Sequence, residues 1–516
     1  MNKRTISRTV ILLAILLLFT AMGTFYYMKL ELQENYEKTD LFSLVPKECE
    51  AIIEVNNIHH LFQELPYTAF AEAYKDLHIS DLIRLLNENF NRFDEQKAHG
   101  LSGRMNHLLI SFHSPESSAD QVIYGYLNNE DKGFILSLLD QQTENAGPFR
   151  KEVEYNGENI LIYPLNNQKF LACYFHEGFY AISLQKRLIE NVIDTYRQRM
   201  PSIQNDSTFS LLSTQKKQAN SLYLYARSQP LSNWTEFDIR IHNKSIYMTG
   251  NCMDSSGSSF AHIVTGGKKV NLIADQSLPE KTVLFYQLAL SDSAFLLSSY
   301  QNDSIAIPLS DYTFYDFMKE YTSEEINGIE FEENDRTALH RVLMIPLSQP
   351  LTGTEPEWKS IIRMPSLYKR INGKGYTLSP LQEGTPFDRL IPQPSLQKDI
   401  PFHATIFNQQ LLLSKRAEDL IRYIQSLTDQ APTRHYFQEE MADLSQEPHF
   451  TLFTDMSQLL KYPQEYVRYI PSFFFKHKHF FQNFTFSLQL TKVPDNINAN
   501  IILTFKDSRT PEEGDS

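Results

Sequence analysis

Fifteen histidines and 62 carboxylates are the residues most able to do chemistry in this 516-residue chain, and their spacing limits what that chemistry could be. Histidines cluster twice, at His59-His60 and at His477-x-His479. Adjacent residues on a helix point about 100° apart, so His59 and His60 cannot easily share an ion. His477 and His479 would share one strand face, yet no cysteine or paired acid lies near them to complete a metal set. The acidic stretch Glu324, Glu325, Glu330, Glu332, Glu333 and Asp335 could attract calcium. It lacks the alternating Asp/Asn and Gly of an EF-hand and reads as a solvated loop. Triplets at Asp206-Ser207, Asp292-Ser293 and Asp303-Ser304 resemble an O-glycosylation acceptor, but motifs this short recur by chance. No G-x-S-x-G elbow, phosphate-binding glycine loop, H-E-x-x-H pair or dinucleotide fingerprint occurs. No catalytic, cofactor-binding or metal-binding residue is therefore assigned.

One stretch does stand out, an aromatic and basic run between Leu459 and Phe484. It holds Tyr462, Tyr466, Tyr469, Phe473, Phe474, Phe475, Phe480 and Phe481, with Arg468, Lys476, His477, Lys478 and His479 among them. Side chains of these two kinds suit a membrane interface or a protein partner with an acidic rim. Tyr466, Tyr469, Phe473, Phe474, Phe475, Lys476, Lys478 and Phe480 are the candidate contacts. The competing reading is a helix and strand packed into a core, because Phe-rich runs usually bury themselves.

The elements that must position these residues begin with an uncharged run, Thr9 to Met28, preceded by Lys3, Arg4 and Arg8. Twenty helical residues at about 1.5 Å each span a hydrocarbon core of about 30 Å. The expectation is a single transmembrane anchor over residues 1–29 with a cytoplasmic N-terminus, placing the rest outside the inner membrane, in the periplasm. A cleaved signal peptide is the alternative, but Tyr26, Tyr27 and Lys29 look more like an interfacial belt. No cysteine precedes Cys49, so a lipid-modified cysteine at its end is excluded. Beyond Lys29, 44 basic residues face 62 acidic ones, a formal charge of −18 that repels phosphate backbones. Nucleic acid is excluded as a partner on that ground. Cys49, Cys173 and Cys252 form no C-x-x-C spacing and read as small buried thiols.

Five colinear matches point to an internal duplication. Val45-Pro46 before Ala51-Ile52-Ile53 resembles Leu278-Pro279 before Leu284-Phe285-Tyr286. Asn156-Gly157 leads to Pro164-Leu165 as Asn372-Gly373 leads to Pro380-Leu381, with identical spacing. Asn-Gly between strand-like runs predicts a type I′ hairpin, whose two central residues need positive φ. Ser183 and Ser414 each separate a strand-like run from a helical one and read as N-caps. Leu222-Tyr223-Leu224-Tyr225 pairs with Phe450-Thr451-Leu452-Phe453, and Phe237-x-Ile239 with Phe484-x-Phe486. The expected fold is α+β, an N-terminal transmembrane helix followed by two tandem repeats of a mainly antiparallel sheet covered by helices. Its parts are a linker over 30–43, repeats over 44–275 and 276–506 joined near Gly266-Gly267, and a disordered acidic tail over 507–516. Helical stretches are expected over His59 to Lys75 and Ser80 to Phe93.

The plan of basic N-terminus, single anchor, proline-led strand and a strand-Ser-helix unit in each half resembles a domain-of-unknown-function family of single-anchor envelope proteins of Gram-negative bacteria. The resemblance implies an envelope setting and carries no catalytic residues. Two functions follow as expectations. One is a non-catalytic binding or scaffold protein that holds another envelope component. The alternative is a hydrolase with dispersed Asp, Glu and His in the groove between the halves.

Overall fold

The computed structural model describes residues 40–74, 107–114, 119–127, 150–165, 169–213, 222–228, 233–252, 278–279, 281–289, 309–323, 325–333, 336–382, 401–428, 448–467, 472–493 and 496–506, with a few isolated positions between them. By contacts the chain forms two compact units, the first ending at Ala226 and the second comprising Gln63–His78 and everything from Arg227. The expected join near Gly266-Gly267 lies outside the described residues.

The first unit contains β1 (Ala51–Val55), β2 (Leu108–Phe112), β3 (Gln121–Leu127), β4 (Lys151–Tyr155), β5 (Glu158–Pro164), β6 (Phe170–His176), β7 (Gly178–Ser183) and β8 (Leu222–Ser228). Antiparallel pairing places them in the order β4-β5-β6-β7-β3-β2-β1-β8. The helix α1 (Lys186–Tyr196) buries Ile189, Val192 and Ile193 and rests on β6 and β7. Those positions recur at helical spacing, which is why the segment folds with one apolar face inward.

The second unit contains β9 (Asn233–Ile241), β10 (Ser245–Cys252), β11 (Thr282–Ala289), β12 (Glu325–Glu333), β13 (Arg336–Pro346), β14 (Leu367–Ile371), β15 (Lys374–Pro380), β16 (His403–Phe407), β17 (Gln410–Ser414), β18 (Phe450–Asp455), β19 (Phe484–Val493) and β20 (Asn496–Phe505). Pairing orders them β14-β15-β16-β17-β13-β12-β11-β18-β19-β20-β10-β9. The first eight repeat the order of the first unit strand for strand. Asn156 and Gly157 join β4 to β5 with φ of 52° and 83°, and Asn372 and Gly373 join β14 to β15 with 46° and 83°. Both turns have the positive φ pair that the Asn-Gly signature predicts. The helix α2 (Ala417–Thr428) buries Leu420, Tyr423 and Ile424 against β13 and β17, the counterpart of α1 on β7.

Strand, not helix, dominates the described chain, and the fold is a predominantly antiparallel β fold rather than an anchored α+β pair. The long strands β13, β19 and β20 carry β-branched and aromatic residues that suit a pleated, half-buried surface. The proposed anchor over 9–28 lies outside the described residues. Among the described residues no helix is long and apolar enough to cross a membrane. The longest, Leu309–Tyr321, has 13 residues, about 20 Å of helix against a core of about 30 Å. The described residues therefore supply no helix for the transmembrane, signal-anchor and inner-membrane placement expected from sequence.

The helix expected over His59 to Lys75 breaks at Pro66, leaving short helices Ile58–Glu64 and Ala71–Tyr74. The stretch Ser80 to Phe93 and the tail 507–516 lie outside the described residues. Ser183 and Ser414 do not cap helices. They end β7 and β17, and each hydroxyl instead accepts the N–H two residues on, from Gln185 and Arg416. Cys49 and Cys173 are buried and unbridged.

A pH effect follows from the end of β2. Burial pulls the His113 imidazole down to about 4, against a smaller upward pull from Asp120, and its Nε2 lies 2.9 Å from Ser111 Oγ. An unfolded histidine titrates near 6.5, so between about 6.5 and 4 the unfolded chain binds a proton that the folded chain refuses. His113 therefore stabilises the fold above 6.5, and that contribution is lost as pH falls to 4. Urea midpoints at pH 7 and pH 4.5 should differ less in His113→Gln than in the wild type. An equal pH dependence in the two proteins would contradict this.

Candidate functional site

Polar groups of the second unit converge where β12 and β13 lie side by side. Alternation along β12 sends Ile329 and Phe331 into the core and Glu330 and Glu332 to the other face. Arg341 on β13 pairs directly with Glu330 in register. Its Nε lies 3.2 Å from Glu330 Oε2 and its Nη2 donates to Glu465 Oε2 at 2.8 Å. Glu465 sits on α3 (Pro463–Tyr466), the first helix of the aromatic run. The Tyr466 hydroxyl donates to Glu330 at 2.5 Å, and the Tyr462 hydroxyl donates to Glu332 at 2.7 Å. Lys461 stands 3.5 Å from the same Glu332.

These contacts close one side of a cavity of about 280 Å³. Its apolar walls include Tyr286, Leu343, Phe402 and Leu413, and its polar wall includes Arg341, Lys415, Arg416, Asp419 and Glu465. A largely apolar cleft with a few convergent polar groups is the usual form of a small-molecule site. Lys415 is buried and its ammonium sits 4.6 Å above the Phe402 ring, where the ring's negative face attracts it.

A second network lies behind this wall. Asp419, in the first turn of α2, meets His340 Nδ1 at 2.9 Å, accepts from Ser414 Oγ at 2.9 Å and meets Arg416 Nη2 at 2.7 Å. Serine, histidine and aspartate are thus together, but in the wrong order for nucleophilic catalysis. Ser414 donates to the carboxylate and not to the histidine, so the histidine is not placed to take its proton, and the carboxylate that faces it is already held by Arg416 and His340. Burial pushes Tyr286 up, with Glu330 adding to the rise, and burial likewise pushes up Tyr462, helped by Glu332. Burial alone would lower Arg341, but Glu330 and Glu465 outweigh it and hold the guanidinium charged. All three move away from neutrality.

No family model, no curated protein and no solved structure matches this chain. Its residues alone carry the functional reading.

The candidate contacts divide when placed in the structure. Tyr466 is buried against Glu330 and anchors the aromatic run to the sheet instead of facing a partner. Phe480 is buried in α5 (Lys478–Phe481), packed 4.9 Å from Phe484. Phe473, Phe474 and Phe475, on α4 (Ser472–Lys476), are half-buried, with Phe474 4.6 Å from Phe481. Lys476 and Lys478 are exposed. Tyr469 lies outside the described residues. His477 is the turn residue that precedes α5 and His479 lies within α5, so the two do not share a strand face. Among the described residues no group of three or more His, Cys, Asp or Glu could hold a metal ion.

Sequence reasoning missed the site's central residues. Of the stretch assigned to a solvated acidic loop, Glu325 to Glu333 form strand β12, and Glu330 and Glu332 are committed to Arg341, Tyr462 and Tyr466, while Glu324 and Asp335 lie outside the described residues. The alternation of Ile329 and Phe331 with Glu330 and Glu332 was the available sign.

Gly328 offers a probe of the cavity wall. A methyl group there would come within 2.0 Å of the Tyr286 ring. Gly328→Ala should lower stability by about 1–3 kcal/mol, because the ring must move toward the cavity. A urea midpoint equal to the wild type would show that the ring relocates freely.

Proposed function

We propose that this chain is a binding protein rather than an enzyme, and that the cavity of its second unit holds a small ligand. The observation that carries this reading is the prior commitment of the cavity's charges: Glu330 and Glu465 are held by Arg341, and Asp419 by Arg416, Ser414 and His340. Acid–base catalysis needs a group poised near the working pH and within reach of substrate. Here the shifted groups Tyr286, Tyr462 and Arg341 are driven away from that range. A fixed, internally neutralised polar wall opposite aromatic and aliphatic walls suits recognition.

We also infer that the two units arose by duplication, which the shared strand order and the matched Asn-Gly turns support. The aromatic run then belongs to the second copy alone, where it walls the cavity with Tyr462 and Glu465.

The reading is tested by thermal-shift screening of a small-metabolite library with the full chain. A ligand that raises the unfolding temperature of the wild type should lose most of that effect in Tyr462→Ala, which removes part of the wall. Ligands acting equally on both proteins would place binding elsewhere.

A further inference from the structure

The edge strand β14 differs from its counterpart in the first unit. We propose that β14 is a docking edge for an acidic peptide, which adds to the sheet as an extended strand. Among the described residues β14 pairs with β15 alone. The two-residue type I′ turn makes Ile371 and Lys374 the closing hydrogen-bonded pair, so the bonded pairs alternate from there as Ile371, Lys369 and Leu367. Tyr368 and Arg370, between them, turn their backbone N–H and C=O groups to the open side. That is the donor and acceptor pattern a further strand would meet.

The side chains select what could join. Residues 363–382 carry Arg363, Lys369, Arg370 and Lys374 and no carboxylate, in a chain whose net charge is −14. The counterpart β4 mixes Lys151 with Glu152 and Glu154. Natural edges are often blunted by charge, and like charges on β14 would repel a second copy of itself. Yet Met364, Leu367 and Tyr368 are 80%, 50% and 68% exposed beside those cations, which leaves apolar surface for a partner's alternate side chains. A cationic edge with apolar contacts fits an acidic strand.

The edge is also held still. Ile371 and Leu378 are buried in the core, Asn372 Nδ2 donates to Thr428 Oγ1 at 2.8 Å, and the Tyr368 ring lies over Gly375, where a Cβ would be 2.0 Å from its hydroxyl. The pinned polar tip, Asn372-Gly373-Lys374, argues against insertion into a lipid surface, because a lipid-entering hairpin carries its apolar residues at the tip.

The test uses the full chain and a fluorescein-labelled octapeptide of alternating Glu and Val. Anisotropy should show binding that weakens by at least about tenfold in the Lys369→Glu, Arg370→Glu double variant, since rim charges steer and hold such partners. The variant positions are exposed, and its unfolding temperature should match the wild type. In the wild type, amide exchange at Tyr368 and Arg370 should slow on adding the peptide. No binding, binding indifferent to the charge reversal, or unchanged exchange at those amides would overturn the proposal. Binding to phosphatidylserine vesicles without peptide binding would overturn it in favour of a lipid surface.

Discussion

Arg341→Met is expected to lower the stability of the second unit by an amount between that of a surface bridge, about 1 kcal/mol, and that of a buried pair, about 3–5 kcal/mol, because the pair is half-buried. The guanidinium holds Glu330 and Glu465 at 3.2 and 2.8 Å, and the Arg341 and Glu330 side chains are each only 16% exposed. Without it, two carboxylates face each other across a poorly solvated wall. Replacing Glu330 by Gln in the same chain should recover part of the loss, because it removes one of the stranded charges. Urea unfolding of the single and double variants measures this. A loss under about 1 kcal/mol would mean that water reaches the pair as at an ordinary surface bridge.

The second large effect separates the two parts of the aromatic run. Phe480 is 2% exposed and packs on Phe484 at 4.9 Å and Phe481 at 5.0 Å, with Phe70 at 6.5 Å. Phe480→Ala removes those contacts and leaves a cavity, so it should cost about 3–5 kcal/mol. Phe475 is half-buried, and Phe475→Ser should stay within about 1 kcal/mol of the wild type. Equal losses at the two positions would show that the whole run is core. No loss at Phe480 would show that α5 does not hold the sheet as its packing implies.

Local features of the fold were readable in the residues. Asn156-Gly157 and Asn372-Gly373 predict their turns because few residues other than Gly and Asn accept positive φ. Four of the five matched runs fall at equivalent places in the two strand orders, whereas Phe237-x-Ile239 lies on the edge strand β9 and Phe484-x-Phe486 on β19, between β18 and β20. What the sequence hid is long-range. Arg341 and Glu465 lie 124 positions apart, and no local pattern pairs them. Acid density around Glu330 resembles a solvated loop unless the alternating Ile329 and Phe331 are weighed first. Ser183 and Ser414 resemble N-caps because they stand between strand and helix. Yet each helix begins three residues beyond its serine, and the hydroxyl serves the intervening turn. Tyr466 and Phe480 drew attention as contact residues by type alone. Burial, which type does not reveal, makes one an anchor on Glu330 and the other core.

The cavity is proposed to bind without reacting. Its most direct test is a turnover assay of the purified full chain on peptide, ester, phosphoester and glycoside substrates. Glu330→Gln, Glu465→Gln and Asp419→Asn variants are run beside it. Every substrate should be recovered unchanged by the wild type. Turnover by the wild type that falls by about a hundredfold or more in any one of those variants would contradict it, because a committed structural carboxylate would then be a catalytic one.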